Sequence, residues 1–327
     1  MAWKTAKSQV TEHRDHMQEL VNRVAEIIES TGKLPLKREW DSSKCVGPQS
    51  PFNAATGEPY HGINVICLGL NPLAFTTADP RFCTYKQAED KGWQVKKGSK
   101  ATGVFFFKPL EIEDEKAKDG TRIVPILRHY SVFHASEIEG VPAYTPPTQE
   151  DAPWTRPEAV STILKASGVK VLTGGDRAFY SPAHDFIQLP PDVAFFKPEY
   201  WSATAIHELN HATGHASRMN RDMTGSFGSE KYCQEEARVE LAASCVCNTL
   251  GLPTDYENSA AYVAGWLKKL RSDKRELFHA AADAQRIASW TLAYHPDFAP
   301  NQKANKQPDR PALTGSSLEG TVPASTP

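Results

Sequence analysis

The chain of 327 residues is too long for one ordinary hydrophobic core and has room for two domains. Hydrophobic residues make up 40% and charged residues 23%, as in soluble globular proteins, and the net charge of -2 excludes a general attraction to nucleic acid or anionic membranes. An N-terminus without an apolar signal segment, the lack of any window of about 18 apolar residues and the irregular cysteine spacing predict a cytoplasmic protein with reduced thiols and no membrane contact.

The first half of the chain has the patterns of both helices and strands. Residues from about 5 to 30 carry apolar side chains at three- and four-residue steps, which predicts an amphipathic helix that ends at Gly32. Residues 47–60 predict a loop by composition, and the short apolar run at 63–68 predicts a buried element of either type. Further patterns predict a short helix at 86–92, a basic turn at 93–100, and strands at 103–108 and within 122–136.

The second half is predicted to be richer in helices. A helix near 157–167 precedes two strands, at 169–172 and 186–189, on either side of a Gly174-Gly175 turn. Three helical stretches then follow, at 197–213, 229–250 and 259–290, the last with a break at Ser272-Asp273.

These patterns predict an α+β protein of two domains. Residues 140–157 are dense in Pro, Thr and acidic side chains without periodicity, which indicates a linker between domains at 1–139 and 158–300. Residues 301–327 have almost no large apolar side chain and predict a disordered tail.

One pentapeptide, His207-Glu208-Leu209-Asn210-His211, has the spacing of a metal site on a helix. Two His residues four positions apart lie on one helical face and can bind a single ion. Glu208 would lie beside that ion, where it could act as general base on a water molecule. The alternative is a polar surface helix, but the small apolar residues at 203–206 favour a helix packed into a core.

A catalytic zinc site needs a third protein ligand, and the best donors lie in the helical segment 234–241. Glu236 and Glu240 share one helical face, so we predict Glu236 as the ligand and Glu240 as a partner of one imidazole ring. His215 continues the His line and would be a ligand if the helix continued, but Gly214 predicts an earlier end. We therefore place His215 beside the ligands. Zinc is the default ion for such a site, although Mn and Co accept the same donors.

Basic and aromatic side chains are concentrated between residues 81 and 108. The basic ones are Arg81, Lys86, Lys91, Lys96, Lys97, Lys100 and Lys108, and the aromatic ones are Phe82, Tyr85, Trp93 and residues 105–107. Lysines that pair with phosphates, next to rings that stack on bases, are the components of a site for single-stranded nucleic acid. The alternative is equally open, because alternation in the predicted strand makes some of the Phe residues core and surface Lys is common.

Further motifs surround the metal motif. They are Gly175-Asp176, Ala178-Phe179-Tyr180, Asp185-Phe186-Ile187-Gln188-Leu189-Pro190, Ala212-Thr213-Gly214-His215, Ser217-Arg218-Met219-Asn220-Arg221, Phe227-Gly228-Ser229 and Glu235-Glu236. Over about 157–290 the sequence resembles the zincin-type metallopeptidase domain of the ArdC antirestriction family. The resemblance implies that residues 185–189 form the strand edge that receives a peptide substrate. Ala237-Arg238-Val239 replaces a more apolar run that is usual in the family, which leaves the choice between Glu235 and Glu236 open.

The first half carries a second resemblance. Its motifs are Asn53-Ala54-Ala55-Thr56-Gly57-Glu58-Pro59-Tyr60-His61-Gly62-Ile63-Asn64, Arg81-Phe82-Cys83-Thr84-Tyr85-Lys86-Gln87-Ala88 and Gly92-Trp93-Gln94-Val95-Lys96-Lys97-Gly98. They resemble the module for single-stranded DNA that precedes the peptidase in ArdC proteins and recurs in conjugative primases. The residues this assigns to DNA binding are Tyr60, Asn64, Arg81, Lys86, Gln87, Trp93, Lys96, Lys97 and Lys100.

The resemblance implies an antirestriction protein of a mobile element such as a conjugative plasmid. Such a protein would bind single-stranded DNA and shield incoming DNA from host restriction endonucleases by steric exclusion. Two alternatives stay open: a metallopeptidase that cleaves a DNA-associated host protein, and a metal-stabilised interaction protein without catalysis. The sequence specifies neither the peptide substrate nor the oligomeric state.

Overall fold

The computed structural model describes residues 14–32, 34, 50–77, 79–113, 121–145, 155–252 and 260–299. Its helices are α1 (His16–Thr31), α2 (Ile63–Gly69), α3 (Pro72–Thr76), α4 (Tyr85–Asp90), α5 (Arg156–Ser167), α6 (Pro198–Ala212), α7 (Glu230–Leu250), α8 (Ala260–Ser272) and α9 (Glu276–Leu292). Its strands are β1 (Phe52–Asn53), β2 (Arg81–Cys83), β3 (Gln94–Val95), β4 (Thr102–Glu113), β5 (Thr121–His134), β6 (Ile138–Glu139), β7 (Lys170–Thr173), β8 (Phe179–Ser181) and β9 (Phe186–Leu189). The predicted α+β class is confirmed.

The first half is built on a sheet with the strand order β1-β2-β5-β4. Strands β4 and β5 form a long antiparallel hairpin whose register runs from the Thr102–Val132 pair to the Glu113–Thr121 pair. Val104 and Val132, at the base of this hairpin, are buried, whereas most side chains farther out are exposed. The base of the hairpin is therefore part of a core, and Leu127 of β5 packs against the edge of a core.

The apolar run at 63–68, whose type the sequence left open, is the helix α2. All six residues of the run 63–68 are buried, because the helix contacts both β4 and α9. A helix buried all round loses the amphipathic period, so its pattern resembles that of a buried strand. The predicted short helix after residue 85 is α4, which begins with a capping box between Thr84 and Gln87.

The second half places β9 in the centre of a sheet with the order β7-β9-β8. Strand β7 pairs with β9 in parallel and β8 pairs with it in the antiparallel direction, so both sides of β9 are occupied. The expectation that residues 185–189 form an exposed strand edge is therefore wrong. The edge strand that contacts α6 is β8.

The two halves share one hydrophobic core. Val24 of α1 and Ile66 of α2 pack in the same cluster as Trp266 of α8 and Leu277 of α9. The ring of Phe105 in β4 contacts the ring of Phe278 edge-on at 5.1 Å. A second core lies under α5, α6, β9 and the C-terminal part of α7. The apolar face of α1 is thus covered by the other half of the chain, and this core contains residues from both sides of the predicted limits at 139 and 158.

Several predictions from composition fall partly or wholly outside the described residues. These concern residues 5–13 of the predicted N-terminal helix, residues 146–154 of the predicted linker and the tail after residue 299. Within the described part of the chain, none of the five cysteines 67, 83, 233, 245 and 247 forms a disulfide. No described helix combines the length and the apolar character that crossing a bilayer requires.

His134, at the end of β5, is fully buried and is neutral by its hydrogen bonds. The backbone N–H of Ser136 donates to Nδ1 at 3.1 Å, so Nε2 carries the proton and donates to the carbonyl oxygen of Asp79 at 2.7 Å. Burial holds the pKa of His134 below 6.5, although the Asp79 carbonyl favours the charged ring. The neutral ring joins β5 to the chain before β2.

We expect this histidine to make the protein sensitive to mild acid. Below a pH of about 6.5 the unfolded chain takes up a proton that the folded chain refuses, so the unfolding free energy falls by at most about 1.4 kcal/mol per pH unit. The loss continues down to the lowered pKa of the folded state. Urea unfolding of the native protein and of His134→Gln, each between pH 5 and 8, measures the effect. Equal pH slopes for the two proteins would contradict it.

Candidate metal centre

Helix α6 brings His207 and His211 together on one face. The helix begins with Pro198 at its first position and ends at Ala212, and the residues before the motif, Ala205 and Ile206, are fully buried as predicted. The Nε2 atoms of the two His rings lie 3.2 Å apart. Both rings therefore direct the same nitrogen to one point.

Helix α7 adds a carboxylate at that point. Glu236 Oε2 lies 3.7 Å from His207 Nε2, and Glu236 Oε1 lies 3.5 Å from His211 Nε2. One ligand atom from each of the three residues can be chosen so that all lie within 4.8 Å of one another, a spacing that one metal ion could bridge. In the part of the chain that the structure describes, no other group of His, Cys, Asp and Glu meets this criterion.

The opposite nitrogens of the same rings face two other carboxylates. Glu240 Oε2 lies 3.4 Å from His207 Nδ1, and Glu235 Oε1 lies 3.4 Å from His211 Nδ1. A carboxylate at Nδ1 fixes the orientation of an imidazole ring and leaves its Nε2 lone pair available to a metal. Glu236 thus faces the two Nε2 atoms, whereas Glu235 faces the Nδ1 atom of His211.

Arg221 holds Glu235 in place, a contact that the sequence did not predict. Its guanidinium donates to both carboxylate oxygens of Glu235, at 2.9 and 2.7 Å, and also to Thr213 Oγ1 and the Asn210 carbonyl at the end of α6. Burial raises the pKa of Glu235, but Arg221 and His211 outweigh it and bring that pKa to about 2. Arg221 and Glu235 belong to separate short motifs, and the spacing between such motifs does not predict that their side chains touch.

The charge of the site favours a cation. Burial lowers the pKa of His211, but the carboxylates of Glu235 and Glu236 outweigh it and raise that pKa to about 10. The same negative surroundings that hold a proton on the ring would attract a divalent ion. The site therefore suits a divalent ion in geometry, through two imidazole nitrogens and one carboxylate, and in charge, through the surrounding glutamates.

Two further residues border the site. Glu208 follows His207 on α6 and is buried, and its carboxylate is close enough to act electrostatically on both His rings. Tyr232 lies one turn before Glu236 on α7, and burial together with the nearby Glu236 carboxylate raises the pKa of its hydroxyl. The sequence singled out Glu208 but not Tyr232, because a tyrosine carries no metal-site pattern of its own.

His215 lies beyond the end of α6, as Gly214 predicted. A Cβ on Gly214 would lie 2.5 Å from Met223 Sδ and 3.1 Å from the His211 carbonyl oxygen, so a larger residue would crowd the turn after the helix. The contacts of His215 are with Ser217, at 2.8 Å, and with Asp185, at 3.8 Å. It is thus part of a network with Asp185, and it is absent from the group of three potential ligands.

Two family models match consecutive parts of the chain. Residues 14–133 match the family model of the N-terminal domain of anti-restriction factor ArdC, and residues 158–283 match that of a zincin-like metallopeptidase. The antirestriction ArdC protein from the R388 plasmid, in its Mn(II)-bound crystal structure, is 34% identical, with a TM-score of 0.71 and coverage of 90% of this chain and 100% of that chain. Its metal-free structure gives 33% identity, a TM-score of 0.70 and coverage of 86% and 98%. The chain belongs to the ArdC antirestriction family.

Curated relatives of this ArdC-family chain include longer proteins. Two DNA primases TraC of Escherichia coli are each 38% identical over 80% of the chain, which spans only 19% and 26% of their lengths. The uncharacterized protein y4eC of Sinorhizobium fredii (strain NBRC 101917 / NGR234) is 34% identical over 77% of the chain and 84% of its own length.

Two of the DNA-binding residues expected from the ArdC motifs are buried structural residues. Asn64 donates to the Phe105 carbonyl at 2.8 Å and accepts from the Phe105 N–H at 2.7 Å, so its amide joins α2 to β4. Tyr60 is buried against the sheet, with its hydroxyl between Asn53 and the Phe82 carbonyl. Both side chains are largely buried, at 7% exposure for Tyr60 and 4% for Asn64, and their assignment to DNA contact stays a prediction.

Three others combine partial exposure with structural contacts. Arg81 forms a two-point ion pair with Asp79, at 2.9 and 2.8 Å. Gln87 completes the capping box of α4, and Trp93 packs near Gly140, where a Cβ would lie 3.1 Å from the indole ring. Lys86, Lys96, Lys97 and Lys100 are exposed. These four stay predictions for DNA contact.

Proposed function

We propose that this chain is an antirestriction protein that binds single-stranded DNA and thereby shields incoming DNA from restriction endonucleases. The proposal is supported by its membership of the ArdC family, with both modules of the R388 protein in the same order. Shielding needs no chemistry, since a protein bound along a strand sterically excludes an endonuclease.

We further propose that the chain binds one divalent metal ion through His207, His211 and Glu236. The observation that carries this is the convergence of two Nε2 atoms and one carboxylate, with Glu235 and Glu240 behind the rings. Zinc is the default ion for this donor set, and manganese is supported by the Mn(II)-bound form of the R388 protein.

A second candidate activity, peptide hydrolysis, is favoured by the position of Glu208. A divalent ion would supply Lewis acidity at the site when bound. The buried Glu208 carboxylate next to the ligands could accept the proton of an attacking water and return it to the leaving amine. Tyr232 could orient the Glu236 carboxylate. Protection of DNA and peptide hydrolysis are separable, because one requires DNA contact and the other Glu208.

One set of measurements tests these proposals. Purified protein is analysed for bound metal, for binding to single-stranded and double-stranded oligonucleotides at two salt concentrations, and for protection of DNA against a restriction endonuclease. We expect one divalent ion per chain and a preference for single strands that weakens with salt. Protein that binds neither form of DNA would overturn the shielding function.

Glu208→Gln distinguishes the candidates. It removes the proton acceptor but no metal ligand, so we expect metal content and DNA binding to stay unchanged. If protection also persists, shielding does not depend on hydrolysis. If protection is lost while metal and DNA binding are kept, the protein acts as a peptidase and the shielding proposal is wrong.

A further inference from the structure

The outer part of the β4–β5 hairpin has two chemically different faces. Residues paired directly across two antiparallel strands lie on the same face, and faces alternate along each strand. The register pairs Val104 with Tyr130, Phe106 with Arg128, Lys108 with Ile126 and Ile112 with Arg122. The side chains of Phe106, Lys108, Arg122, Arg128 and Tyr130 therefore lie on one face, which we call the aromatic-basic face.

The aromatic-basic face presents both rings and cations to solvent. Phe106 is 45% exposed and Tyr130 is 44% exposed, and their rings meet edge to face with centroids 5.7 Å apart. Lys108, Arg122 and Arg128 are exposed beside them. No acidic residue of β4 or β5 lies on this face. The face therefore combines two aromatic platforms with three positive charges.

The opposite face of the same hairpin has the other charge. It carries Glu111 and Glu113, together with the exposed side chain of Phe107, and none of the lysines or arginines of the two strands. Pairing of the two strands alone would not require the basic residues on one face and the acidic residues on the other. Charge complementarity thus assigns a polyanion to the aromatic-basic face alone.

We propose that the aromatic-basic face of the β4–β5 hairpin is the surface on which single-stranded DNA binds. The phosphates pair with Lys108 and Arg128, and unpaired bases stack on Phe106 and Tyr130. The inference rests on the proposed DNA-binding function, and it moves the centre of contact away from the buried Asn64 and Tyr60. At about 3.4 Å per residue, the face extends about 27 Å from Tyr130 to Arg122, enough for several nucleotides.

Single-stranded DNA fits this surface better than the other candidates. A duplex keeps its bases stacked on each other, so it could use the cations but not the two rings. A second copy of the chain docked through the same face would bring three positive charges against three more, which costs free energy. Base stacking on aromatic side chains tolerates any sequence, which suits protection of unspecified incoming DNA.

The test measures binding of the full chain to a fluorescent oligothymidine of about 20 nucleotides by anisotropy. Phe106→Ala combined with Tyr130→Ala is expected to weaken binding roughly tenfold or more, because two stacking platforms are lost. The matched control is Phe107→Ala, since Phe107 is the adjacent, 63% exposed Phe of the opposite face. It should bind like the native protein.

Charge is tested separately through the salt dependence. Lys108→Gln combined with Arg128→Gln should reduce the slope of log affinity against log salt concentration by about 1.4, since each single-strand phosphate contact contributes about 0.7. Lys86→Gln combined with Lys97→Gln removes the same charge from the segments that the sequence favoured. Thermal denaturation checks that each variant is folded.

The outcomes separate this inference from the proposed function. If the native protein does not bind the oligonucleotide, the DNA-binding function fails and the surface with it. If the native protein binds and both hairpin variants bind equally well, the function stands and the surface is wrong. If only the variant at Lys86 and Lys97 has a smaller salt slope, the DNA binds at the segment that contains these two lysines and the hairpin surface is wrong. A native dimer that Phe106→Ala converts to a monomer would make the face a self-association surface and overturn the proposal.

Discussion

Glu236→Ala is expected to lower the affinity of the protein for its divalent ion by more than about a hundredfold. The substitution removes the carboxylate that lies 3.7 Å from the Nε2 atom of His207 and 3.5 Å from that of His211. Loss of a residue that merely holds a ligand costs roughly ten- to a hundredfold in metal affinity, so loss of the ligand itself should cost more. Titration calorimetry with Mn²⁺ and with Zn²⁺ measures the change.

Two glutamates of the same helix provide the comparison. Glu235→Gln removes the charge behind His211 but leaves all three ligands, and its effect should lie between about ten- and a hundredfold. Glu230→Ala changes an exposed residue at the start of α7 and should leave metal affinity unchanged. If Glu236→Ala binds metal as well as the native protein while Glu235→Gln does not, the ligand set is wrong.

Arg238→Met is expected to lower the unfolding free energy by about 3–5 kcal/mol. Arg238 joins α7 to α9 through Glu276 at 2.8 Å and Asp283 at 2.7 Å, and the side chain of Glu276 is only 5% exposed. Without the guanidinium the Glu276 carboxylate would be a buried charge without its cation, which is costly even though the intact pair contributes little net stability. Urea unfolding at neutral pH measures the loss.

Arg286 offers a matched control, because it pairs with the same Asp283 from a position that is 70% exposed. Surface ion pairs contribute about 0–1 kcal/mol, so Arg286→Met should change stability little. Adding Glu276→Gln to Arg238→Met should recover part of the loss by removing the buried charge. Equal effects of Arg238→Met and Arg286→Met would show that burial of the ion pair does not matter.

The helical periods of the sequence predicted much of the second half. The stretches at 197–213 and 229–250 are α6 and α7 to within a residue at each end, and the break at Ser272-Asp273 separates α8 from α9. Such helical patterns depend on residues that are close together in the sequence. Asp185–Leu189 was wrongly expected at a sheet edge because strand order depends on pairing between distant segments, which periodicity does not encode.

The site divides in the same way. Four-residue spacing placed His207 and His211 together, since one helical turn fixes that distance. Glu235 could not be located from helical spacing alone, because its role depends on which nitrogen of His211 faces α7 and on Arg221 from the intervening loop. Arg238, which looked like a departure from an apolar run, is a buried link between α7 and α9.

By itself, the sequence determined that this chain has an α+β fold and a helix with a metal-site motif, and its resemblance pointed to the ArdC family. Those features depend on neighbours along the chain or on the identity of short motifs. Only the tertiary structure decided which glutamate lies between the two rings, that α1 and α2 pack on α8 and α9, and which face of the β4–β5 hairpin carries rings and cations together. Each of these depends on how elements distant in sequence pack, because helices and strands are arranged so that their apolar faces are buried against one another.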